Sequence, residues 1–323
     1  MKAIVIEGDP RNPVLVWREV PDVVPAKGEV LLDVRAAGVN RADLLQARGG
    51  YAPPPGASEI LGLEVCGVIR EIAGGVEGWA VGDRVCALLP GGGYAEQVAV
   101  DARVLMRVAK HWSDAQAAAL PEAWLTAYVN LFEEGALAEG ESVLIHAGAS
   151  GVGLAAIQLA RSAGATVLAT AGSPEKISLM REIGAHFAIN YRETNFADSV
   201  RKMTSGVDVI LDCVGGSYLA QNISILKRFG RLVNIGLLGG SKGELSLEAV
   251  LRGRLRIIGS TLRSRSREEH ARLARAFEER FWGMLTRGDL RILIDSTFPM
   301  AQAGEAHARM AKNLNAGKIV LTS

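Results

Sequence analysis

The chain has 323 residues, 49% of them apolar and 22% charged, with 36 Lys and Arg against 35 Asp and Glu for a net charge of +1. That length implies two domains with a sizeable core, not a stapled mini-protein, and the near-neutral balance leaves no global field to attract nucleic acid or anionic lipid. Cys66, Cys86 and Cys213 are too few and too scattered for a disulfide framework or a metal knuckle, so a reducing, cytoplasmic setting is expected.

The opening MKAIVIEGDP is interrupted by Glu7 and Asp9 before a leader core forms, and no apolar run is long enough to cross a bilayer. From residue 1 to about 110 the texture is short strands: KAIVIE, VLVWREV, EVLLDVRAAGV, VCGVIREIA, DRVCALL and YAEQVAV. Gly and Pro clusters such as YAPPPG and PGGG separate them. Their spacing is irregular, which argues against a propeller or solenoid and leaves a folded-over β domain. At Ser113 an Ala-rich helical pattern begins, SDAQAAALPEAWLTAYVNLFEEGAL, with Ser113 as N-cap and Pro121 as a break. The crossing between domains is expected here.

After Glu141 strand and helix signals alternate: SVLIHAG, GVGLAAIQLARSAG, TVLATAG, SPEKISLMREIG, FAIN, FADSVRKMTS, VDVILDCV, SYLAQNISILKRF, GRLVNIG and RIIGS. Such alternation predicts an α/β doubly wound parallel sheet, because only a long crossover returns the next strand parallel. SYLAQNISILKRF reads as one helix. The last sixty or so residues hold one charged amphipathic helix, a strand ILIDSTF and a short strand KIVLTS, assigned back to the first domain.

The strongest chemical signal is VLIHAGASGVGLAAIQLARSAGA: an apolar strand, a Gly-rich turn and a helix opening at once. Gly148, Ser150 and Gly153 occupy the three positions of the dinucleotide fingerprint, with Gly151 beside them. In that fingerprint the first Gly allows the turn, the second lets backbone approach a pyrophosphate, and the third packs helix on strand. Ser150 departs from the middle Gly, but its hydroxyl supplies a donor. The competing reading is a plain strand-to-helix turn that binds nothing.

At the tip of the second strand, TVLATAGSPEK has no acid to hold a ribose; Ser173 and Pro174 mark a helix N-terminus, and Lys176 lies one turn in. That arrangement favours the 2′-phosphate of NADPH over NADH. The alternatives are that Ser173 only caps its helix, Lys176 is solvated, and Glu175 serves as the ribose acid.

Taken together, GVNRADLLQARGGYAPPPG, LGLEVCGVI with AVGDRV, PEAWLTAY, HAGASGVG, AGSPEK, INY, NIG and GSTLRSRS resemble, in order and over essentially the whole chain, the zinc-free quinone oxidoreductase branch of the medium-chain dehydrogenases/reductases. The resemblance implies a GroES-like β-rich catalytic domain (1–123 and 265–323) with an inserted Rossmann domain (124–264). It places Asn40 and Tyr51 in the substrate cleft and Thr126 against the nicotinamide. Gly148, Ser150, Gly151, Val152 and Gly153 would line the pyrophosphate. Gly172, Ser173, Lys176 and Tyr191 would surround the 2′-phosphate, with Asn234 and Gly236 along the ribose and nicotinamide. Each has an ordinary alternative as turn, cap or packing residue, and Asp43 reads as a local cap. Zinc-dependent relatives carry Cys and His where this chain has Asn40 and Leu63, so no metal is expected.

Without a Lewis acid, an electron-poor quinone or activated alkene is an easier hydride acceptor than a simple alcohol. The expected activity is NADPH-dependent quinone reduction. The alternatives are reduction of enoyl thioesters or alkenals, and a non-enzymatic NADPH-binding or RNA-binding role. Residues 252–280 carry nine Arg against four Glu. A solvated helix with Leu273, Ala276 and Phe277 on one face explains them better than a nucleic-acid surface, since no aromatic platform interleaves them. A homodimer, paired through the sheet edge ending in RIIGS, is expected from the family.

Overall fold

Val30, Leu32, Val34 and Ala36 alternate along one long strand, and each is at most 5% exposed, because that strand is flanked by neighbours on both sides. A computed structural model describes residues 1–323. It divides into two compact units, Met1–Leu125 with Arg263–Ser323, and Thr126–Leu262. In the first, β1 (Lys2–Glu7) and β2 (Val14–Glu19) form an antiparallel hairpin, and β3 (Glu29–Val39) is the long strand. Helix α1 (Arg41–Ala47) follows, then β4 (Glu64–Ile72), β5 (Arg84–Leu88), β6 (Gln97–Asp101), β7 (Leu105–Arg107) and α2 (Asp114–Ala118).

β3 pairs with β4 along one edge. Along the other, its first half pairs with β6 and its second half with the C-terminal strand. Two register shifts against β4 bend it, as bulges do. Ser113 caps α2 through a capping box with Gln116. Pro121 then opens α3 (Pro121–Tyr128), where its missing N–H costs nothing. α3 runs into a π-helical turn, Val129–Glu134, and crosses into the second unit.

That unit alternates β8 (Ser142–Ile145), α4 (Gly151–Ser162), β9 (Thr166–Ala171), α5 (Pro174–Ile183), β10 (Phe187–Asn190), α6 (Phe196–Met203) and β11 (Val207–Asp212). It continues with α7 (Leu219–Ile225), β12 (Leu226–Asn234), α8 (Leu247–Gly253) and β13 (Arg256–Gly259). All its strand pairs are parallel, in the order β10-β9-β8-β11-β12-β13. This is the doubly wound sheet expected from the alternation. The chain returns through α9 (Arg267–Phe277), α10 (Gly283–Arg287), β14 (Ile294–Pro299), α11 (Ala303–Ala311) and β15 (Lys318–Thr322). β15 lies antiparallel on β3, and β14 parallel on β15.

Two expectations need correction. SYLAQNISILKRF is not one helix: α7 stops at Ile225, and Leu226 pairs with Val207 in the parallel ladder, so sheet pairing overrides the helical pattern. On α9 the buried positions are Ala271, Leu273, Ala274 and Phe277, while Ala276 is half-buried. α1, α8, α10, α11 and β7 were not anticipated; most are one or two turns long, too short for a periodic signal.

Candidate active site

The order of the parallel sheet reverses between β8 and β11, and in such sheets ligands bind beyond the carboxyl ends of the strands at that switch. The turn after β8 lies there. Ser150 N-caps α4, its Oγ accepting the Gly153 N–H at 3.0 Å, which leaves the hydroxyl proton free to donate. Gly151 and Val152 form the open first turn, where unsatisfied N–H groups favour an anion.

The left-handed residue of this turn is Ala147 (φ 50°), not Gly148. Gly148 is needed for close packing instead: a Cβ there would lie 2.8 Å from Ala169 Cβ and 2.4 Å from Met180 Sδ. At Gly153 a Cβ would sit 2.5 Å from the Ala147 carbonyl oxygen, so this glycine seats the helix on the turn.

At the tip of β9, Ser173 caps α5, with Pro174 in its first turn. A Cβ on Gly172 would meet the Tyr191 hydroxyl at 2.6 Å and Arg192 Nε at 3.2 Å, so both side chains lie over that glycine. Lys176 is half-buried one turn into α5. Glu175 is exposed and hydrogen-bonded by Ser173, which holds its carboxyl below the usual range. Beside this seat is a pocket of about 330 Å³, with Tyr191, Arg192, Phe196 and Tyr218 among its walls. The Phe196 and Tyr218 rings are 4.7 Å apart, suited to a flat aromatic base.

Beneath the site runs a buried polar chain. His146 Nδ1 pairs with Thr170 Oγ1 at 3.1 Å and Nε2 with Asn222 Oδ1 at 2.8 Å. Asn222 and Asn234 both donate to Asp212 Oδ2, and Asp212 accepts the backbone N–H groups of Val214 and Gly215. Burial holds the His146 pKa down. Asn234 therefore acts through Asp212 on the loop after β11. A Cβ on Gly236 would lie 2.9 Å from the Cys213 carbonyl oxygen, so Gly236 packs on that same loop.

The first unit holds a second, more acidic cluster. Gly38 leaves space for the fully buried Glu64, whose Oε1 would lie 2.1 Å from a Cβ there. Glu64 Oε1 accepts from Asn40 Nδ2 at 2.9 Å and from Lys318 Nζ; Lys318 also donates to Val39 O at 3.0 Å and Asn40 Oδ1 at 2.6 Å. Asp43, also fully buried, accepts the Asn40 and Gly62 N–H groups and the Tyr94 hydroxyl. Burial pushes its carboxyl up to about 6 against those donors.

Glu122, on the first turn of α3, donates its backbone N–H to Glu64 Oε2 at 2.8 Å, while its own carboxyl receives no hydrogen bond. Burial, then the charge of Glu64, pushes it up to about 8. Arg263, 5% exposed, donates Nε to Pro90 O at 2.8 Å and lies 5.2 Å from the centre of the Tyr51 ring. Its buried Nη2 has no partner. Burial, then Glu122, raises the Tyr51 phenol pKa, so the phenol keeps its proton.

Two family models match: "Alcohol dehydrogenase GroES-like domain" over residues 26–110 and "Zinc-binding dehydrogenase" over residues 151–279. Human quinone oxidoreductase is 32% identical over 92% of this chain and 90% of its own. The structure of a Thermus thermophilus quinone oxidoreductase, solved also as its NADPH complex, superposes with a TM-score of 0.85 at 33% identity, covering all of both chains. This chain belongs to the quinone oxidoreductase branch of the medium-chain dehydrogenases/reductases. A Saccharopolyspora erythraea relative, erythronolide synthase EryA2, is 38% identical over 98% of this chain, which spans only 9% of that protein's length. The JamJ enoyl reductase structure matches with a TM-score of 0.85 and 29% identity, over 99% of this chain and 98% of its own.

Although one matching model of this dehydrogenase/reductase family is named for zinc, the residues do not fit that metal. No group of three His, Cys, Asp or Glu is arranged to hold an ion. The polar set around Asn40 is instead closed by the Lys318 ammonium.

Asn40, expected in the substrate cleft, lies among the polar groups of this cluster. It is 9% exposed, and its amide is occupied on both sides by Glu64, Gly38 and Lys318. Tyr51 is partly open, and so is Thr126 on α3.

Sequence reasoning missed Arg192, Glu122, the Lys318–Glu64 pair and the His146–Asp212 chain. Only Glu122 carried a readable signal, as the lone acid in the apolar run AAALPEAWLTAYVNLF. No helix is long and apolar enough to cross a membrane.

Proposed function

We propose that this chain is an NADPH-dependent, zinc-independent reductase that delivers hydride to quinones. The observation that carries the cofactor assignment is the seat at Gly172: Tyr191 and Arg192 lie over it, and Ser173 opens a helix N-terminus beside it. Cationic and hydroxyl donors there suit a 2′-phosphate. When bound, the nicotinamide supplies the hydride; the protein positions the partners and excludes water.

Within this reading Gly151, Val152 and Gly153 present backbone N–H groups to the pyrophosphate and Ser150 adds its hydroxyl. Lys176, Tyr191 and Arg192 hold the 2′-phosphate, Thr126 meets the ring, and the Tyr51 phenol donates to the acceptor oxygen. Asn40 is a positioning residue that orients Glu64 and Lys318. The match to quinone oxidoreductases over nine-tenths or more of their length supports the acceptor class. The likeness to an enoyl reductase favours a second reading, reduction of an activated alkene such as an enoyl thioester or enal. We further propose a cytoplasmic homodimer paired through β13.

The test is steady-state consumption of NADPH and NADH against quinones, enals and enoyl thioesters, with product analysis. Lys176→Ala and Arg192→Ala are each expected to weaken NADPH binding about tenfold, ~1.4 kcal/mol, and to leave NADH unchanged. Unchanged NADPH affinity in both variants removes the 2′-phosphate assignment. Tight NADPH binding with no turnover on any acceptor supports the non-enzymatic reading.

A further inference from the structure

One cavity lies wholly within the first unit, and no residue assigned above to cofactor or acceptor lines it. It measures about 550 Å³, a size that takes a small organic molecule. Its walls are the turn before β3, the loop between β4 and β5, the turn from β6 into β7, and α9 with the residue that follows it.

Ion pairs tie these walls together. On α9, Arg267 pairs with Glu29 at 3.2 Å and Glu268 with Arg103 at 3.3 Å, while Arg103 Nη2 also donates to Asp101 Oδ2 at 2.7 Å. Arg107 Nη2 donates to Gly78 O at 2.7 Å, and its Cζ stands 4.4 Å from the centre of the Trp79 ring. The loop after β4 and its indole are thereby held in place. Gly75 has a φ of 88°, and a Cβ there would lie 3.5 Å from Lys27 Cε, so the lysine stem runs across that glycine.

What those contacts leave over gives the cavity its chemistry. Arg103 and Arg267 have carboxylate partners, but the Lys27 and Arg275 side chains make no hydrogen bond and no ion pair. The carboxyls without partners are Glu77, which is exposed, and Glu278, which is half-buried. Burial pushes the Glu278 carboxyl up to about 7 in spite of Arg107 and Arg275, so at neutral pH it offsets only part of the cationic charge. The floor is apolar: Val76, Trp79 and Ala102 pack on the core of this unit, and Leu105 belongs to that core.

We propose that this cavity is a second ligand site, which takes a small organic carboxylate with a flat apolar body. The Arg275 guanidinium and the Lys27 ammonium hold the carboxylate, and the flat body lies on Trp79, Val76 and Ala102. Arg275 carries the larger share, because a guanidinium meets a carboxylate with two parallel N–H donors whereas an ammonium acts as a point charge. A neutral molecule of the same shape leaves both cations uncompensated, and a cationic one meets like charge.

The test is calorimetric titration of the full chain with naphthoate at neutral pH and low salt, beside naphthamide and naphthylmethylammonium as neutral and cationic counterparts. Naphthoate is expected to bind about tenfold more tightly than naphthamide, and the cation not at all. Arg275→Ala should weaken naphthoate binding about tenfold, Lys27→Ala should weaken it less, and the two together should bring naphthoate down to the level of naphthamide. Trp79→Leu should weaken both naphthoate and naphthamide. Tyr51→Phe, which alters the proposed acceptor site, should leave naphthoate binding as it is.

Equal affinity for naphthoate and naphthamide, tighter binding of the cation, or no binding of any probe overturns the proposal. So does a naphthoate affinity that survives the loss of both cations, or that falls only in Tyr51→Phe, since the anion then sits elsewhere. Lys27 and Arg275 are exposed, so replacing them removes charge without opening the core, and no outcome depends on whether the chain reduces quinones.

Discussion

Gly153 and Glu122 show how much one side chain decides here. A methyl on Gly153 meets the Ala147 carbonyl oxygen and the Gly148 backbone, neither of which can swing aside as a flexible side chain does. Gly153→Ala is therefore expected to lose about 1–3 kcal/mol in urea unfolding and to weaken NADPH binding in a fluorescence titration.

Glu122 couples stability to pH. Its carboxyl lies at about 8 when folded against an ordinary 4.5, so the folded chain holds a proton that the unfolded chain releases between those values. The stabilisation is complete below 4.5 and lost as pH rises through about 8, with a slope of at most about 1.4 kcal/mol per pH unit. Asp43 at about 6 and Glu278 at about 7 act in the same direction lower in the range. Unfolding free energy should fall from pH 7 to 8 in wild type and flatten over that interval in Glu122→Gln.

Between elements, the first unit is joined by charge as well as by ladders. Lys318 on β15 reaches β3 through Val39 O and β4 through Glu64. Lys318→Met leaves Glu64 buried and unpaired, and is expected to destabilise the chain by about 3–5 kcal/mol. Adding Glu64→Gln should recover a good part of that loss, as a double-mutant cycle in urea would read. In the second unit the parallel ladder is the stronger constraint, since it draws Leu226 out of a helical sequence and into β12.

At the scale of the molecule, β13 ends the parallel sheet with an unpaired edge, and Ile257 is 42% exposed on it. Leu247 and Leu251, 74% and 77% exposed, stand one turn apart on α8. An open apolar edge invites pairing, and a second copy related by a two-fold axis is the proposed occupant. Ile257→Lys should sediment as a monomer and still bind NADPH; a wild type that is already monomeric refutes the pairing.

Read alone, the sequence determined the doubly wound sheet, the capped helices at Ser113 and Ser173, and the turn that opens α4. Each rests on contacts a few residues apart, where periodicity and capping chemistry are visible. It did not determine that Ala147 takes the left-handed position, that Arg192 joins Tyr191 over Gly172, or that Asn40 is enclosed. Nor did it show which acid keeps a proton. That depends on Glu64 meeting Glu122 across 58 residues and Lys318 across 254. Only tertiary structure brings those charges together, and the protonation state of a buried carboxyl follows from the donors and cations around it, not from its neighbours in the chain.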